Sequence, residues 1–227
     1  MLSHPAETWL LITHLGSASI MLPMFVMLTA ELWLGGQKPG LVAWWLAMMA
    51  GVALVLASKI AFIGWGWGSA SLNFTGISGH TLLASSILPM WMGRLLAGPD
   101  KRFSLPGVML GLAIGALVGW SRLVLGAHSP SEVIAGWLLG LGISLVACKV
   151  MGEHYPARGW ARLPAGMFLL LVFSPALSGY LPTHQWEVDL ALALSGHTRP
   201  HVRQDLHRPS QTLAGESPRY DQMDLIR

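Results

Sequence analysis

Residues 41–62 read LVAWWLAMMAGVALVLASKIAF, and this stretch decides the fold class because Lys59 is its only charged residue. A helix needs about 20 predominantly apolar residues to cross the hydrocarbon core of a bilayer, so the stretch predicts a transmembrane helix. The whole chain has a similar character. Its 227 residues are 53% hydrophobic and 11% charged, with a mean hydropathy of +0.53, which is too apolar for a typical water-soluble domain. The sequence therefore predicts an all-α integral membrane protein.

The same criterion, applied to the rest of the chain, predicts a polytopic helical bundle with about six transmembrane helices. The predicted spans are residues 8–33, 41–62, 80–96, 105–120, 132–150 and 162–181. The first is expected to be a retained helix, because it is longer than a signal-peptide core and no Lys or Arg precedes it. Glycines recur in the fourth span every four residues, at Gly107, Gly111, Gly115 and Gly119. This spacing predicts a helix face that a neighbouring helix approaches closely.

Composition divides the chain into two parts. Residues 1–182 are predicted to form the transmembrane domain, and residues 183–227 a polar, partly disordered C-terminal tail with a short amphipathic stretch at 186–194. The tail histidines are His184, His197, His201 and His207. Their spacing matches no standard zinc pattern, and the single cysteine, Cys148, excludes an intramolecular disulfide. We therefore expect no metal site in the tail.

The positions of the basic residues predict the orientation of the bundle. The formal net charge of +3 is spread over short loops and the tail, so nucleic-acid binding is not expected. One set of loops carries Lys38, Arg94, Lys101, Arg102, Lys149, Arg158 and Arg162. The opposite set, at residues 64–79 and 121–131, contains only Arg122. By the positive-inside rule the second set is extracytoplasmic, which in a bacterial inner membrane means the periplasmic face.

Costly polar residues collect at that second face. Polar groups at membrane depth are costly unless they have a hydrogen-bonding or ionic partner, and those that occur often have a functional role. The set consists of Lys59, Ser78-Gly79-His80, Ser121-Arg122, His128 and Glu132. Because successive helices alternate in direction, we expect all of these groups to lie at one end of the bundle.

A phosphate-binding site accounts for these residue types. Lys59 and Arg122 supply cationic donors, and the planar guanidinium can bind two phosphoryl oxygens. Ser78 offers a hydroxyl, while Gly79 allows close approach of the backbone at a helix N-terminus, where the N–H groups attract anions. The sequence therefore predicts an anion cradle.

The two histidines suggest a division of chemical work. One is expected to attack phosphorus while the other protonates the leaving alcohol. Glu132 follows His128 by four residues, so on a helix its carboxylate can reach the imidazole and fix the tautomer that leaves the opposite nitrogen free. This spacing favours His128 as the nucleophile and His80 as the general acid.

Structural roles remain open for several of these residues. Ser129-Pro130-Ser131-Glu132 is typical of a helix start, so Glu132 could serve mainly as the capping-box partner of Ser129. Lys59 could simply extend to the interface, and Ser78 could simply cap a helix. His14, isolated in the first span, is interpreted as a hydrogen-bonded residue of the bundle.

At these residues the sequence resembles the type 2 phosphatidic acid phosphatase family. The family pattern has three blocks, Lys-x6-Arg-Pro, Pro-Ser-Gly-His and Ser-Arg-x5-His-x3-Asp, and the third is matched closely by residues 121–132. The resemblance implies a helical membrane core, no cofactor or metal requirement and a phosphohistidine intermediate on His128. It also implies phosphate binding by Lys59, Ser78, Gly79 and the Ser121-Arg122 pair.

The sequence departs from that pattern at three places. Ile77 replaces the Pro before Ser78, and Glu132 stands where the family has Asp. The largest departure follows Lys59, because Gly66 and Trp67 occupy the positions of Arg-Pro. Loss of one such cation could cost about 2 to 4 kcal/mol of transition-state stabilisation. A tail residue such as Arg199 or Arg203 could fold back to help.

The leading hypothesis is a phosphatase that acts on a lipid phosphate or prenyl diphosphate among membrane lipids at the periplasmic face of a bacterial inner membrane. A phosphotransferase would use the same residues but pass the phosphate to a second lipid. A non-catalytic lipid-phosphate binder or transporter is the alternative from another class, because one cation of the pattern is missing. The sequence leaves the lipid and the oligomeric state open.

Overall fold

The computed structural model describes residues 4–34, 38–97, 104–151 and 183–207. In this part of the chain the regular structure is helical, and an isolated bridge joins Ser69 and Phe74. The elements are α1 (His4–His14), α2 (Ala18–Leu34), α3 (Lys38–Trp65), α4 (Gly79–Leu95), α5 (Leu105–Val124), α6 (Pro130–Met151), α7 (Thr183–Ser195) and a 3-10 helix (Arg203–His207). The prediction of an all-α membrane bundle is confirmed.

Four stretches of the described chain are long and apolar enough to cross a membrane. They are Ala6–Glu31, Gly40–Trp65, Leu105–Val124 and Pro130–Val150. The predicted third span corresponds to α4, whose 17 residues give a length of about 26 Å, at the short end of what spans a bilayer. The predicted span at 162–181 lies outside the described residues.

The first predicted span, 8–33, is not one continuous helix. It divides into α1 and α2 at residues 15–17, where turn hydrogen bonds replace the helical ladder. Gly16 lies at the break, and a Cβ there would come within 2.6 Å of Val118 Cγ1 and 2.9 Å of the His80 carbonyl oxygen. The division has a physical reason: the chain passes closely between α4 and α5, where only glycine fits.

The helix α4 lies at the centre of the bundle and packs against α2, α3, α5 and α6. The glycine face of α5 explains its closest contact. At Gly115 a Cβ would lie 2.9 Å from the Ser85 Cα, and Gly107 and Gly111 meet the α4 backbone in the same way. The two helices can therefore approach until their backbones touch, as the glycine spacing predicts.

The beginning of the tail is folded against the bundle. The helix α7 packs on α3, where a Cβ at Gly64 would meet the Ala191 carbonyl oxygen at 3.2 Å. Ala191 is fully buried with Phe62 and Ile63. The prediction of a polar, partly disordered tail can thus be compared only in part: residues 183–207 are docked on the bundle, and residues 208–227 lie outside the described residues.

Candidate active site

Four helix ends bring the predicted site residues together. Lys59 lies near the C-terminal end of α3, Arg122 near that of α5, and the first turns of α4 and α6 carry His80 and Glu132. The positive charges of Lys59 and Arg122 act electrostatically on both imidazole rings, His80 and His128. The polar set therefore converges at one end of the bundle.

The centre of the site is a hydrogen-bonded His128–Glu132 pair. The Nδ1 atom of His128 lies 2.7 Å from Oε2 of Glu132. The Glu132 side chain is completely buried, whereas 13% of the His128 side chain is exposed. Because Nδ1 is occupied, Nε2 is the ring nitrogen that remains for chemistry.

Further donors hold the Glu132 carboxylate from several directions. Thr75 donates from its backbone N–H and its hydroxyl to Oε1, at 2.6 and 2.7 Å. The Ser129 N–H donates to Oε2 at 3.0 Å. Arg203 donates from Nη2 to both oxygens, at 2.9 and 2.7 Å. A buried carboxylate is costly unless it is paired and hydrogen-bonded, and these contacts meet that requirement.

The helix-capping role of Glu132 and its contact with His128 coexist. Its bond from the Ser129 N–H is the reciprocal half of a capping box. The Ser129 hydroxyl instead pairs with the Ser131 hydroxyl at 2.9 Å. The same carboxylate therefore caps α6 and orients the imidazole, so the two interpretations of Glu132 are not exclusive.

The pKa of His128 is lowered from its ordinary value. Burial is the largest cause, since it disfavours the charged ring. The hydrogen bond and charge of Glu132 raise the pKa, whereas the charges of Arg122 and Lys59 lower it further. The net effect keeps the imidazole neutral at neutral pH, which is the form that can attack phosphorus.

The Ser121-Arg122 pair closes α5 beside this centre. Arg122 donates from Nη1 to the Thr13 hydroxyl at 3.0 Å, which ties the end of α1 to the site. The Ser121 hydroxyl is buried and donates to the Val118 carbonyl oxygen at 2.6 Å. In this arrangement Arg122 is a site cation, while Ser121 bonds within its own helix.

The Ser78-Gly79-His80 segment starts α4. The Ser78 hydroxyl is completely buried and pairs with the Thr81 hydroxyl at 2.8 Å, and its side chain makes no capping bond. At Gly79 a Cβ would meet only Val55, at an ordinary 3.6 Å, so protein packing does not require glycine here. The His80 ring is half-buried and lies within electrostatic reach of Arg122, Lys59 and His128.

The tail engages Lys59 directly. Its Nζ atom donates to both carboxylate oxygens of Glu187 in α7, at 2.8 and 3.0 Å, so the alternative that Lys59 simply extends to the interface does not describe this structure. Burial raises the pKa of Glu187, but the contact with His184 and the charge of Lys59 outweigh it, and the pKa lies below its ordinary value. Glu187 is therefore a carboxylate at neutral pH.

Gly66, where the resembled pattern has Arg, faces a second part of the tail. Its φ of +71° is a left-handed conformation that favours glycine. A Cβ there would lie 2.7 Å from Cδ2 of the His201 ring. The space next to Gly66 is thus occupied by the segment that leads to Arg203. Arg203 folds back onto the site, where its described partners include Glu132. That a tail arginine replaces the missing phosphate-binding cation stays a prediction.

Several contacts of the site have no signal in the sequence. Thr75 binds Glu132 and Thr13 binds Arg122, yet neither threonine belongs to a recognisable motif. The same is true of Glu187, the partner of the α3 lysine. Only the polarity of residues near the apolar spans points to them. Within the described ranges, no three His, Cys, Asp or Glu side chains come together in a way that could hold a metal ion.

Comparison with known proteins adds an independent line of evidence. A family model, the PAP2 superfamily, matches residues 63–156. An uncharacterised 22.5 kDa protein in the cps region of Klebsiella pneumoniae is 34% identical over 206 residues, which is 88% of this chain and 98% of that protein. An undecaprenyl-diphosphatase of Sulfolobus acidocaldarius is 37% identical over 73 residues, 32% of each chain.

A transmembrane protein 14 homologue of Drosophila melanogaster is 38% identical over 76 residues, 34% of this chain and 62% of that protein. No solved structure matches the chain significantly. The matched family region contains both histidines, Arg122 and Glu132, and the match to the Klebsiella pneumoniae protein covers nearly its whole length. The chain therefore belongs to the PAP2 superfamily, as its resemblance to the type 2 phosphatidic acid phosphatases implied.

Proposed function

We propose that this PAP2-type phosphatase hydrolyses a phosphate monoester or diphosphate of a membrane lipid, at the extracytoplasmic face, through a phosphohistidine on His128. The observation that carries the proposal is the His128–Glu132 pair, with 2.7 Å between Nδ1 and Oε2. Glu132 fixes the tautomer whose Nε2 lone pair is available, and the depressed pKa keeps the ring neutral.

In the first step Nε2 of His128 attacks phosphorus. The N–P bond forms as the bond from phosphorus to the leaving oxygen breaks, and His80 gives that oxygen a proton. Lys59 and Arg122 are the cations that oppose the charge developing on the phosphoryl oxygens. Gly79 begins α4, and in the proposal the first backbone N–H groups of this helix assist phosphate binding. The buried Ser78 and Ser121 hydroxyls pair with Thr81 and with the Val118 carbonyl oxygen, so these two residues support the helix ends that border the phosphate.

In the second step water replaces the histidine. His80, now neutral, takes a proton from the attacking water as the new O–P bond forms and the N–P bond breaks. The products are the lipid alcohol or lipid monophosphate released in the first step and inorganic phosphate, and His128 is free and His80 protonated again, so the atoms and protons balance over the two steps. A second lipid in place of water would give a phosphotransferase with the same residues.

Two observations support a lipid substrate. The site lies at the ends of membrane-spanning helices, and Trp67, Leu72 and Trp120, which follow α3 or lie near the end of α5 in the sequence, are exposed; their large apolar surfaces suit an acyl or prenyl chain at an interface. The relative from Sulfolobus acidocaldarius is named an undecaprenyl-diphosphatase. A prenyl diphosphate is therefore the first lipid to test.

The proposed face rests on charge distribution. Arg94 and Lys149 lie near the ends of α4 and α6 that are remote from the site. By the positive-inside rule that end is cytoplasmic and the site faces outward. In a bacterium we propose the inner membrane, with the site open to the periplasm.

The testing experiment measures phosphate release by the purified full chain and by His128→Ala, with farnesyl diphosphate and phosphatidate as separate substrates and a chelator present throughout. We expect release from the wild type and a loss of at least roughly 1,000-fold in the variant, since the nucleophile is removed. Radiolabelled enzyme should carry an acid-labile, alkali-stable phosphate that His128→Ala lacks. Equal release by both proteins would refute the nucleophile assignment, and a labelled lipid acceptor in place of free phosphate would favour the transferase.

A further inference from the structure

The tail reaches the centre of the site through one arginine. Arg203 donates from Nη2 to both oxygens of the buried Glu132 and to the Thr75 hydroxyl, the last at 3.0 Å. Its Nη1 donates to the Asn73 carbonyl oxygen at 2.7 Å. One guanidinium thus bridges the loop before α4 and the carboxylate at the start of α6.

The segment that carries Arg203 is itself fixed to α3. The His201 N–H donates to the Ile63 carbonyl oxygen at 2.9 Å, and the His201 ring fills the space beside Gly66. Leu206 packs against the buried Phe62 and Ile63. Residues before and after Arg203 in the sequence, His201 and Leu206, are therefore both in contact with α3 or the turn that follows it.

From this geometry we propose that Arg203 is a positioning residue of the active site, which holds the Glu132 carboxylate and balances its charge so that His128 stays neutral and correctly oriented. The inference rests on the proposed function of His128. It differs from a phosphate-binding role, because the described contacts of Arg203 are with protein groups, Asn73, Thr75 and Glu132.

The charge argument gives a testable sign. A carboxylate beside an imidazole favours the protonated ring, and a guanidinium on that carboxylate offsets the effect. Loss of Arg203 should therefore raise the pKa of His128. The titratable and charged groups around His128 are Glu132, Arg122, Lys59 with its partner Glu187, His80 and, through Glu132, Arg203. Of these, only Arg203 is altered in the test.

The experiment compares Arg203→Gln and Arg203→Lys with the wild type, and uses Arg199→Gln as the matched control. Arg199 lies in the same segment, where its charge acts on His201. With farnesyl diphosphate, we expect Arg203→Gln to lower kcat by roughly 10- to 100-fold, by analogy with loss of an outer partner that orients a metal-binding side chain, with a smaller change in KM. The acid limb of the pH–rate profile should move to higher pH in Arg203→Gln. In Arg203→Lys the acid limb should stay close to its wild-type pH, because the positive charge is kept.

A second measurement does not depend on turnover. The pH dependence of His128 modification by diethyl pyrocarbonate, followed by peptide mass spectrometry, reports the protonation of the ring directly. Its midpoint should rise in Arg203→Gln and stay unchanged in Arg199→Gln. A midpoint that does not move in Arg203→Gln would overturn the inference. So would a lower kcat accompanied by an unchanged acid limb and a reduced melting temperature, because Arg203 would then only help to dock the tail. Failure of the proposed function would appear separately, as equal phosphate release by wild type and His128→Ala.

Discussion

The two sides of the site are built in different ways. On the His128 side, His128 and Glu132 lie four residues apart, at the start of one helix, and meet through local geometry. On the Lys59 side, the cation is paired with Glu187, 128 residues away in the sequence, and the neighbouring Gly66 is covered by His201. The first side is encoded in a short motif, whereas the second depends on where the tail docks.

The tail nevertheless touches both sides. Glu187 binds Lys59 and Arg203 binds Glu132, so α7 and the 3-10 helix add one negative and one positive charge to the site. From this comparison we expect activity to be sensitive to a change of charge on the His128 side and less sensitive to a change of charge on the Lys59 side. The following predictions test that difference.

The largest effect is expected at the local side, from Glu132→Gln. The amide keeps the shape but loses the charge that fixes the His128 tautomer, and it leaves Arg203 without its carboxylate partner. We expect kcat to fall by roughly 1,000- to 10,000-fold, since loss of the acid that orients the histidine of a Ser-His-Asp triad lowers kcat by about 10,000-fold. Phosphate release with farnesyl diphosphate measures it, and Glu7→Gln is the matched control. A fall of less than tenfold would mean that the contact between His128 and Glu132 is not essential for activity.

A smaller loss is expected when the arginine of the family pattern is restored by Gly66→Arg. The new side chain would require a left-handed conformation and the space of the His201 ring, so it should displace the segment that carries Arg203. We expect a decrease of roughly 10- to 100-fold, similar to that of Arg203→Gln. Gly142→Ala is the control, because a Cβ there meets no atom within 4 Å. An increase in activity would show that an arginine at position 66 can be accommodated without loss of the contact between Arg203 and Glu132.

The pH dependence should distinguish the two sides next. Because the folded pKa of His128 is lowered, the neutral nucleophile predominates at pH 6.5, and kcat/KM should decline by about tenfold per unit only below the depressed pKa. The acid limb should be retained in Glu187→Gln, which alters the Lys59 side, and shifted in variants of Glu132. A limb above pH 6.5 in the wild type would contradict the assigned protonation state.

The smallest effect is expected from Glu187→Gln itself. A carboxylate on Lys59 competes with a phosphoryl group for the same cation, so its removal should tighten binding of inorganic phosphate, as a competitive inhibitor, by roughly three- to tenfold. The matched control is Asp189→Asn, which removes an exposed carboxylate from the same helix. Since the pKa of Glu187 is lowered in the fold, its contribution to docking is present at neutral pH and lost as pH falls through that lowered value. Weaker phosphate binding in Glu187→Gln would show that the contact supports the site instead of competing with phosphate.

The sequence alone determined the helical membrane fold, the close approach of a neighbouring helix to the α5 glycines and the His128–Glu132 contact, whereas only the structure shows that this neighbour is α4. Each depends on local information: hydropathy over one span, glycines every four residues, or two side chains four residues apart on a helix. Tertiary structure decided the short length of α4 and the break at Gly16, where the chain passes between α4 and α5 after α1 ends and before α2 begins. It also decided the partners of Lys59 and Arg122, and the contact of Arg203 with Glu132. These residues are brought together by helix packing and tail docking over more than 70 positions of chain, and no local pattern specifies which distant polar group will meet which.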